Sequence, residues 1–147
     1  MMLASDTLRR RALLALAAAA SVWAAVDAAY AQSLREMRAR DAEERALQRE
    51  AAYTGSVCGG SLSASIDWSS VSDWPEDESL TDACDGALGA LEAICRESDG
   101  ERGGDISKFV CGGDGSGASL YGDTLYYGAD PGVSGFSDTR DVLESEL

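Results

Sequence analysis

Four cysteines (Cys58, Cys84, Cys95, Cys111), a single lysine (Lys108) and no histidine delimit the chemistry open to this chain of 147 residues. Without imidazole there is no side chain whose ordinary pKa suits general acid–base work at neutral pH, and no histidine metal ligand. A serine nucleophile would have Lys108 as its only lysine base, and Lys108 sits within an apolar-polar run where a solvent-facing strand position is the expected reading. A glycosidase needs only two carboxylates, but nineteen acids from residue 51 onward make any such pair uninformative. Asp67, beside Trp68, is the acid singled out. Its structural reading is a strand-end residue capping the loop that follows. The cysteine spacings contain neither the C-x-x-C pairs of zinc ribbons nor a thioredoxin-type redox pair. No catalytic residue, metal site or cofactor is therefore assigned.

Binding chemistry is better supplied. Trp68, Trp74, Tyr121, Tyr126 and Tyr127 can stack on a glycan or peptide. Asp67, Trp68, Trp74, Tyr126 and Tyr127 form the candidate binding set. On a strand, Tyr126 and Tyr127 point to opposite faces, so at least one is expected at the surface. Residues 112–117 resemble a phosphate cradle only in their glycines and lack its Lys-Ser/Thr. Asp114 and Ser116 give a fragment of a calcium loop without its later glutamate. Glu76, Asp77, Glu78 and Asp82 read as a solvated acidic loop with at most weak affinity for cations.

Charge narrows the partners. Twelve bases face 26 acids, a formal net charge of −14. Residues 33–52 hold five of each, whereas residues 51–147 hold four bases and nineteen acids. Such a surface repels nucleic acid and anionic membrane. A cationic protein or peptide is the expected partner, in an association that weakens with salt. Oligomeric state stays open.

The first residues read as an address rather than as structure. Arg9-Arg10-Arg11, an apolar run over 12–26 and Ala29-Tyr30-Ala31 have the layout of a secretory signal peptide over residues 1–31. The run is shorter than the roughly 20 residues needed to cross a bilayer, although an uncleaved anchor is the rival reading. Arg10-Arg11-Ala12-Leu13-Leu14 leaves general and twin-arginine export both open. The expectation is an exported protein, periplasmic or extracellular, with no membrane attachment after leader removal.

A short series of helices and strands must position the side chains named above. Residues 32–52 read as a charged, exposed helix entered through a Ser33/Glu36 capping box. It carries Glu36/Arg40 and Asp41/Arg45 pairs at i,i+4, and its apolar stripe (Leu34, Met37, Leu47) is thin, predicting weak docking. Residues 61–68 alternate strictly, a half-buried strand with Leu62, Ala64, Ile66 and Trp68 inward. Residues 82–97 predict the central helix, capped by Ser79 or Thr81, with Cys84, Ala87, Leu88, Leu91, Ile94 and Cys95 buried. Gly86 and Gly89 cost about 1 kcal/mol each within a helix, which implies that another backbone approaches closely there. Residues 106–111 read as a second strand, and Gly122-Asp123 joins two further β-prone runs as a hairpin turn. The acidic segment 129–147 reads as a loop-like tail with one or two helical turns after residue 139.

The central helix constrains the cysteines. Cys84 and Cys95 are eleven residues apart, about 16 Å along a helix, whereas a disulfide needs Cα atoms within about 7 Å. They cannot pair with each other. Chain direction, with one strand entering the helix start and another returning from its end, favours Cys58–Cys95 and Cys84–Cys111. Cys58–Cys84 with Cys95–Cys111 is the rival.

Cys58, Asp67-Trp68-Ser69, Cys84 with Ala87-Leu88 and Leu91, Ile94-Cys95, Val110-Cys111 and Thr124-Leu125-x-Tyr127 together resemble a framework found in uncharacterised exported bacterial proteins. The resemblance spans residues 58–128. It implies domain limits and a disulfide framework, and no activity or site residue. The expected fold is a small disulfide-stapled α+β domain over residues 53–128, one central helix on a short antiparallel or mixed sheet, preceded by an exposed helix. The expected function is a non-catalytic binding or envelope-associated module. A carboxylate-dependent hydrolase of an envelope glycan and a secreted inhibitor or toxin-like protein are the alternatives.

Overall fold

A computed structural model describes the backbone of residues 5–147 and the side chains of residues 30–147. The leader read over residues 1–31 thus falls almost wholly on side chains outside the described residues. Among the described residues no helix is long and apolar enough to cross a membrane. The chain divides into two units, Met1–Arg40 and Asp41–Leu147. In the first, residues 30–40 are helical and exposed, with Tyr30, Leu34 and Met37 all at the surface.

The second unit is α+β. It holds the carboxyl-terminal part of helix α1 (Ser5–Val57), strand β1 (Ser63–Ile66), a single 3-10 turn (Trp68–Ser70), helix α2 (Leu80–Glu97), strands β2 (Lys108–Gly112), β3 (Gly117–Tyr121) and β4 (Thr124–Gly128), and helix α3 (Phe136–Glu146). The sheet order is β1-β2-β4-β3. β1 and β2 are parallel, as are β2 and β4, while β3 is antiparallel to β4. The Gly122-Asp123 hairpin therefore forms where the turn chemistry places it. Its second strand is inserted between β3 and β2, so that three strands end on the same side.

α2 provides the core. Cys84, Ala87, Leu88, Leu91, Ile94 and Cys95 are all buried, facing Phe109, Cys111, Leu125 and Tyr127. Ser79 caps α2, its Oγ accepting from the Asp82 N–H at 3.2 Å. The disulfides are Cys58–Cys95 and Cys84–Cys111, and no cysteine is free. Cys58 follows the end of α1 rather than lying on a strand. One staple thus ties helix to helix and the other ties helix to sheet.

Three expectations are corrected. The helix read over 32–52 runs on to Val57 and is not weakly docked beyond residue 41. Leu47, Ala51 and Thr54 are fully buried, in a stripe at i, i+4 and i+7 that continues to Cys58. Polar side chains assist it. Gln48 Oε1 accepts from the Ala64 N–H at 2.9 Å on the free edge of β1, and Glu43 Oε2 accepts from the Thr81 N–H at 3.0 Å and the Thr81 hydroxyl at 2.6 Å. The first strand is shorter than the alternation implies, because the Asp67 carboxylate accepts from the Ser69 N–H and starts a 3-10 turn at Trp68. The tail contains an 11-residue helix with Thr139 and Leu143 buried. The entry to this helix explains one of the two α2 glycines: a Cβ on Gly86 would stand 3.1 Å from the backbone nitrogens of Gly135 and Phe136, whereas one on Gly89 would meet only the Phe136 ring, at 3.7 Å.

Candidate functional site

Three parallel strands end together at Ile66, Gly112 and Gly128. Each is followed within two residues by an aspartate: Asp67, Asp114 and Asp130. In sheets with parallel strands, ligands gather beyond the carboxyl ends, where connecting loops diverge. Here those loops enclose an open cleft of about 440 Å³ whose walls include Ser70, Asp73, Trp74, Gly113, Asp114 and Asp130. None of its lining residues is basic.

Each wall has a local cause. The Ser70 hydroxyl donates to the Asp67 carbonyl at 2.8 Å and accepts from the Gly113 N–H at 3.0 Å, tying the 3-10 turn to the loop after β2. Trp74 Nε1 donates to the Glu78 carbonyl at 3.0 Å, which fixes the indole. A Cβ at residue 113 would lie 3.0 Å from the Trp74 ring, so glycine is what lets the indole close against the loop. Asp114 Oδ1 accepts from the Ser116 N–H at 3.1 Å and the Ser116 hydroxyl at 2.8 Å, and its Oδ2 accepts from the Tyr126 hydroxyl at 3.2 Å. Cys84–Cys111 anchors the strand that carries this loop to α2.

These bonds set the electrostatics. The Ser116 hydroxyl and then its N–H, with Tyr126 assisting, hold the Asp114 carboxyl below the usual aspartate value. Burial, and then the facing Asp114 charge, push the Tyr126 phenol up. Asp114 is thus an anion at any pH near neutrality, whereas a general acid needs its pKa raised. The arrangement suits holding a positive charge against an aromatic face rather than donating a proton.

The candidate binding residues separate. Trp74 lines the cleft and Tyr126 braces it through Asp114. Asp67 caps the turn, taking the Ser69 hydroxyl at 2.5 Å. Trp68 turns away, its Nε1 donating to Glu44 at 2.6 Å. Tyr127 is buried under Gly135. Lys108 lies at the other end of the strands, paired with Asp123 at 3.2 Å. Glu76, Asp77 and Glu78 are exposed ahead of α2, and among the described residues no cluster of three acids or cysteines could hold a metal. Sequence reasoning missed Ser70, Asp73 and Asp130. The available signal was an acid just past each of several strand ends, which gains meaning only once those strands are parallel.

The fold and site define a small, disulfide-stapled α+β domain with an acidic, aromatic-walled cleft. Comparison with family models, curated proteins and solved structures found no match to this chain.

Proposed function

We propose that this protein is a non-catalytic binding module of an exported, envelope-facing compartment, and that it captures an ammonium or guanidinium side chain of a cationic protein or peptide in the cleft beyond β1, β2 and β4. The observation that carries this reading is the lining itself: Asp73, Asp114 and Asp130 around Trp74, without a base. A cation over an indole face gains about 0.5–2 kcal/mol, more as water is excluded, and the carboxylates add Coulomb attraction that salt screens. The two disulfides fit the oxidising compartment that export would reach.

The test is an NMR titration of the oxidised protein with short Lys- and Arg-containing peptides at low and high salt. Shifts concentrated on the Trp74 indole and residues 113–115 and 129–131, weakening with salt, are the expected result. An Asp73→Asn, Asp114→Asn, Asp130→Asn triple variant should weaken binding about tenfold, in line with three partly exposed charges. Equal shifts with glutamate peptides would overturn the reading. Turnover of a glycan that is lost with the same triple variant would replace it with the hydrolase alternative.

A further inference from the structure

The sheet has two faces of different character. Phe109 and Cys111 of β2 and Leu125 and Tyr127 of β4 belong to the core cluster and share one face. Alternation puts their strand neighbours on the other. Register aligns Ser65, Val110, Tyr126 and Ser119 in one row across the four strands, and Ser63, Lys108, Thr124 and Tyr121 in the next. None of these side chains belongs to the core cluster. Antiparallel sheets commonly leave one face to water, but parallel strands are ordinarily covered on both. Here β1, β2 and β4 are parallel, yet Ser63, Ser65 and Tyr121 stand exposed and the core lies on the opposite face.

Two features give this open face a shape and a chemistry. The first is that Tyr126 lies down on it. A Cβ at residue 112 would collide with the Tyr126 hydroxyl and stand 3.0 Å from Cζ of its ring, so the phenol end rests on the backbone of β2. The hydroxyl donates to Asp114 Oδ2 at 3.2 Å, which pins the ring there. Gly112, Gly128 and Gly117 stand in register across β2, β4 and β3, and this row without side chains makes the room. A reclined ring turns one π-face to the sheet and the other outward. Tyr121, 75% exposed, is its diagonal neighbour on β3, a relation that sets Cβ atoms about 7 Å apart. The second feature is neutrality in a chain of net charge −14. Lys108 is the one charged side chain in the two rows, and Asp123 pairs with it at 3.2 Å. Asp67 and Asp114 stand beyond the carboxyl end of the face with their carboxylates bonded to Ser69, Ser116 and Tyr126.

From this geometry we infer that the open face of the sheet binds an uncharged glycan chain, with sugar rings stacked on Tyr126 and Tyr121 and sugar hydroxyls bonded to Ser65, Ser119 and Thr124. The make-up of the face selects this occupant. A cationic ligand finds no free carboxylate in the two rows, and an anionic one is repelled by the field of the whole chain. An apolar peptide or helix finds Val110 as the only aliphatic side chain to bury against. A sugar offers C–H faces to flat aromatic rings and hydroxyl edges to serine and threonine, which is what the rows supply. The inference goes beyond the capture of a cation: the face adjoins the cleft, but its ligand touches none of the residues that line it.

The experiment is an NMR titration of the oxidised full chain with two uncharged probes, the β-linked tetramers of N-acetylglucosamine and of glucose, and with a glucuronate tetramer as control, at low and high salt. At least one neutral tetramer should shift residues 63–65, 108–110 and 119–126 and the Tyr121 and Tyr126 ring resonances, equally at both salt concentrations because no charge is screened. Tyr121→Ala should weaken that binding about fivefold, the worth of one aromatic contact, and Tyr121→Phe should restore it. Tyr126→Leu should weaken it about tenfold. Circular dichroism melts confirm that each variant is folded, and the exposure of Tyr121 keeps the first pair free of any effect on the core. Absence of shifts with both neutral tetramers would overturn the inference. Shifts confined to residues 70–74, 113–115 and 129–131 would overturn it by placing the sugar in the cleft, with the cation reading of the cleft still judged by its own peptides. Tighter binding of the glucuronate tetramer would overturn the neutrality argument and the inference with it. Self-association of the protein alone, mapped to the same rows and abolished by Tyr121→Ala, would overturn it in favour of a second copy as occupant.

Discussion

The two ends of the parallel strands treat aspartate in opposite ways. At the amino end, Asp123 is neutralised: the Ser107 hydroxyl donates to it at 2.5 Å, Lys108 pairs with it at 3.2 Å, and the Thr124 hydroxyl donates at 3.1 Å. Together, Ser107 first, these hold its pKa down at about 2. At the carboxyl end, Asp73, Asp114 and Asp130 surround Trp74 with no base among the lining residues. The difference teaches where to look for function in a chain this acidic. Carboxylates that the fold compensates serve the fold, and carboxylates left without a counter-charge beside an aromatic wall are available to a ligand.

The largest effect tests what holds the carboxyl end in place. Replacing Cys84 and Cys111 by alanine removes the staple between α2 and β2, and should cost about 2–4 kcal/mol in denaturant unfolding. It should also loosen the Asp114 loop, read as lost hydrogen-exchange protection over residues 112–116. Unchanged protection there would show that the loop is held by its own hydrogen bonds.

Two glycines sharpen the contrast. A Cβ at residue 128 would strike the Asp114 carboxylate and Ser116, so Gly128→Ala should cost about 1–3 kcal/mol by forcing that loop off the end of β4, and should weaken cation binding as well. Gly122 at the opposite end has open space around it and a φ of +59°. Gly122→Ala should cost only the left-handed backbone strain, about 1 kcal/mol, with binding untouched. Thermal melts together with the peptide titration read both.

The pH dependence is smaller and has a definite sign. Asp123 has a folded pKa lowered from 3.8 to about 2. Its contribution to stability is therefore present above about pH 4 and is lost as pH falls toward 2. Lys108→Met should move the Asp123 carboxyl resonance to a higher midpoint and shrink that acid-dependent loss. An unshifted midpoint would mean that the ion pair contributes nothing beyond the Ser107 hydrogen bond.

Much of this architecture was legible in the residues. The rigidity of α2 separated Cys84 from Cys95, and strand direction then selected the pairing that the structure contains. Gly86 announced a close backbone neighbour, which is the entry to α3, whereas Gly89 meets only the Phe136 ring at ordinary contact distance. The helical tail was read only in part, as one or two turns from residue 139, because Leu143 is the only fully buried apolar side chain of α3. The docking of α1 was obscured for a related reason. Gln48 and Glu43 make specific hydrogen bonds to β1 and α2, which apolar periodicity does not register. The cleft was the least legible part. Local turn chemistry describes β3 and β4 as a hairpin and says nothing about β4 entering beside β2 in parallel, and that insertion brings Asp130 to Asp114. Trp68 packs partly against the core, as its inward position on the strand implies, with its Nε1 bonded to Glu44 on α1, and Tyr127 lies under the loop before α3.

The comparison of the two strand ends is tested most directly by measuring stability and Lys-peptide affinity together in Asp130→Asn and Asp123→Asn. The account predicts that Asp130→Asn leaves the unfolding free energy within about 0.5 kcal/mol, as for an exposed surface change, while weakening binding. Asp123→Asn should remove the acid-dependent part of stability and leave affinity unchanged. Loss of affinity in Asp123→Asn with none in Asp130→Asn would contradict it.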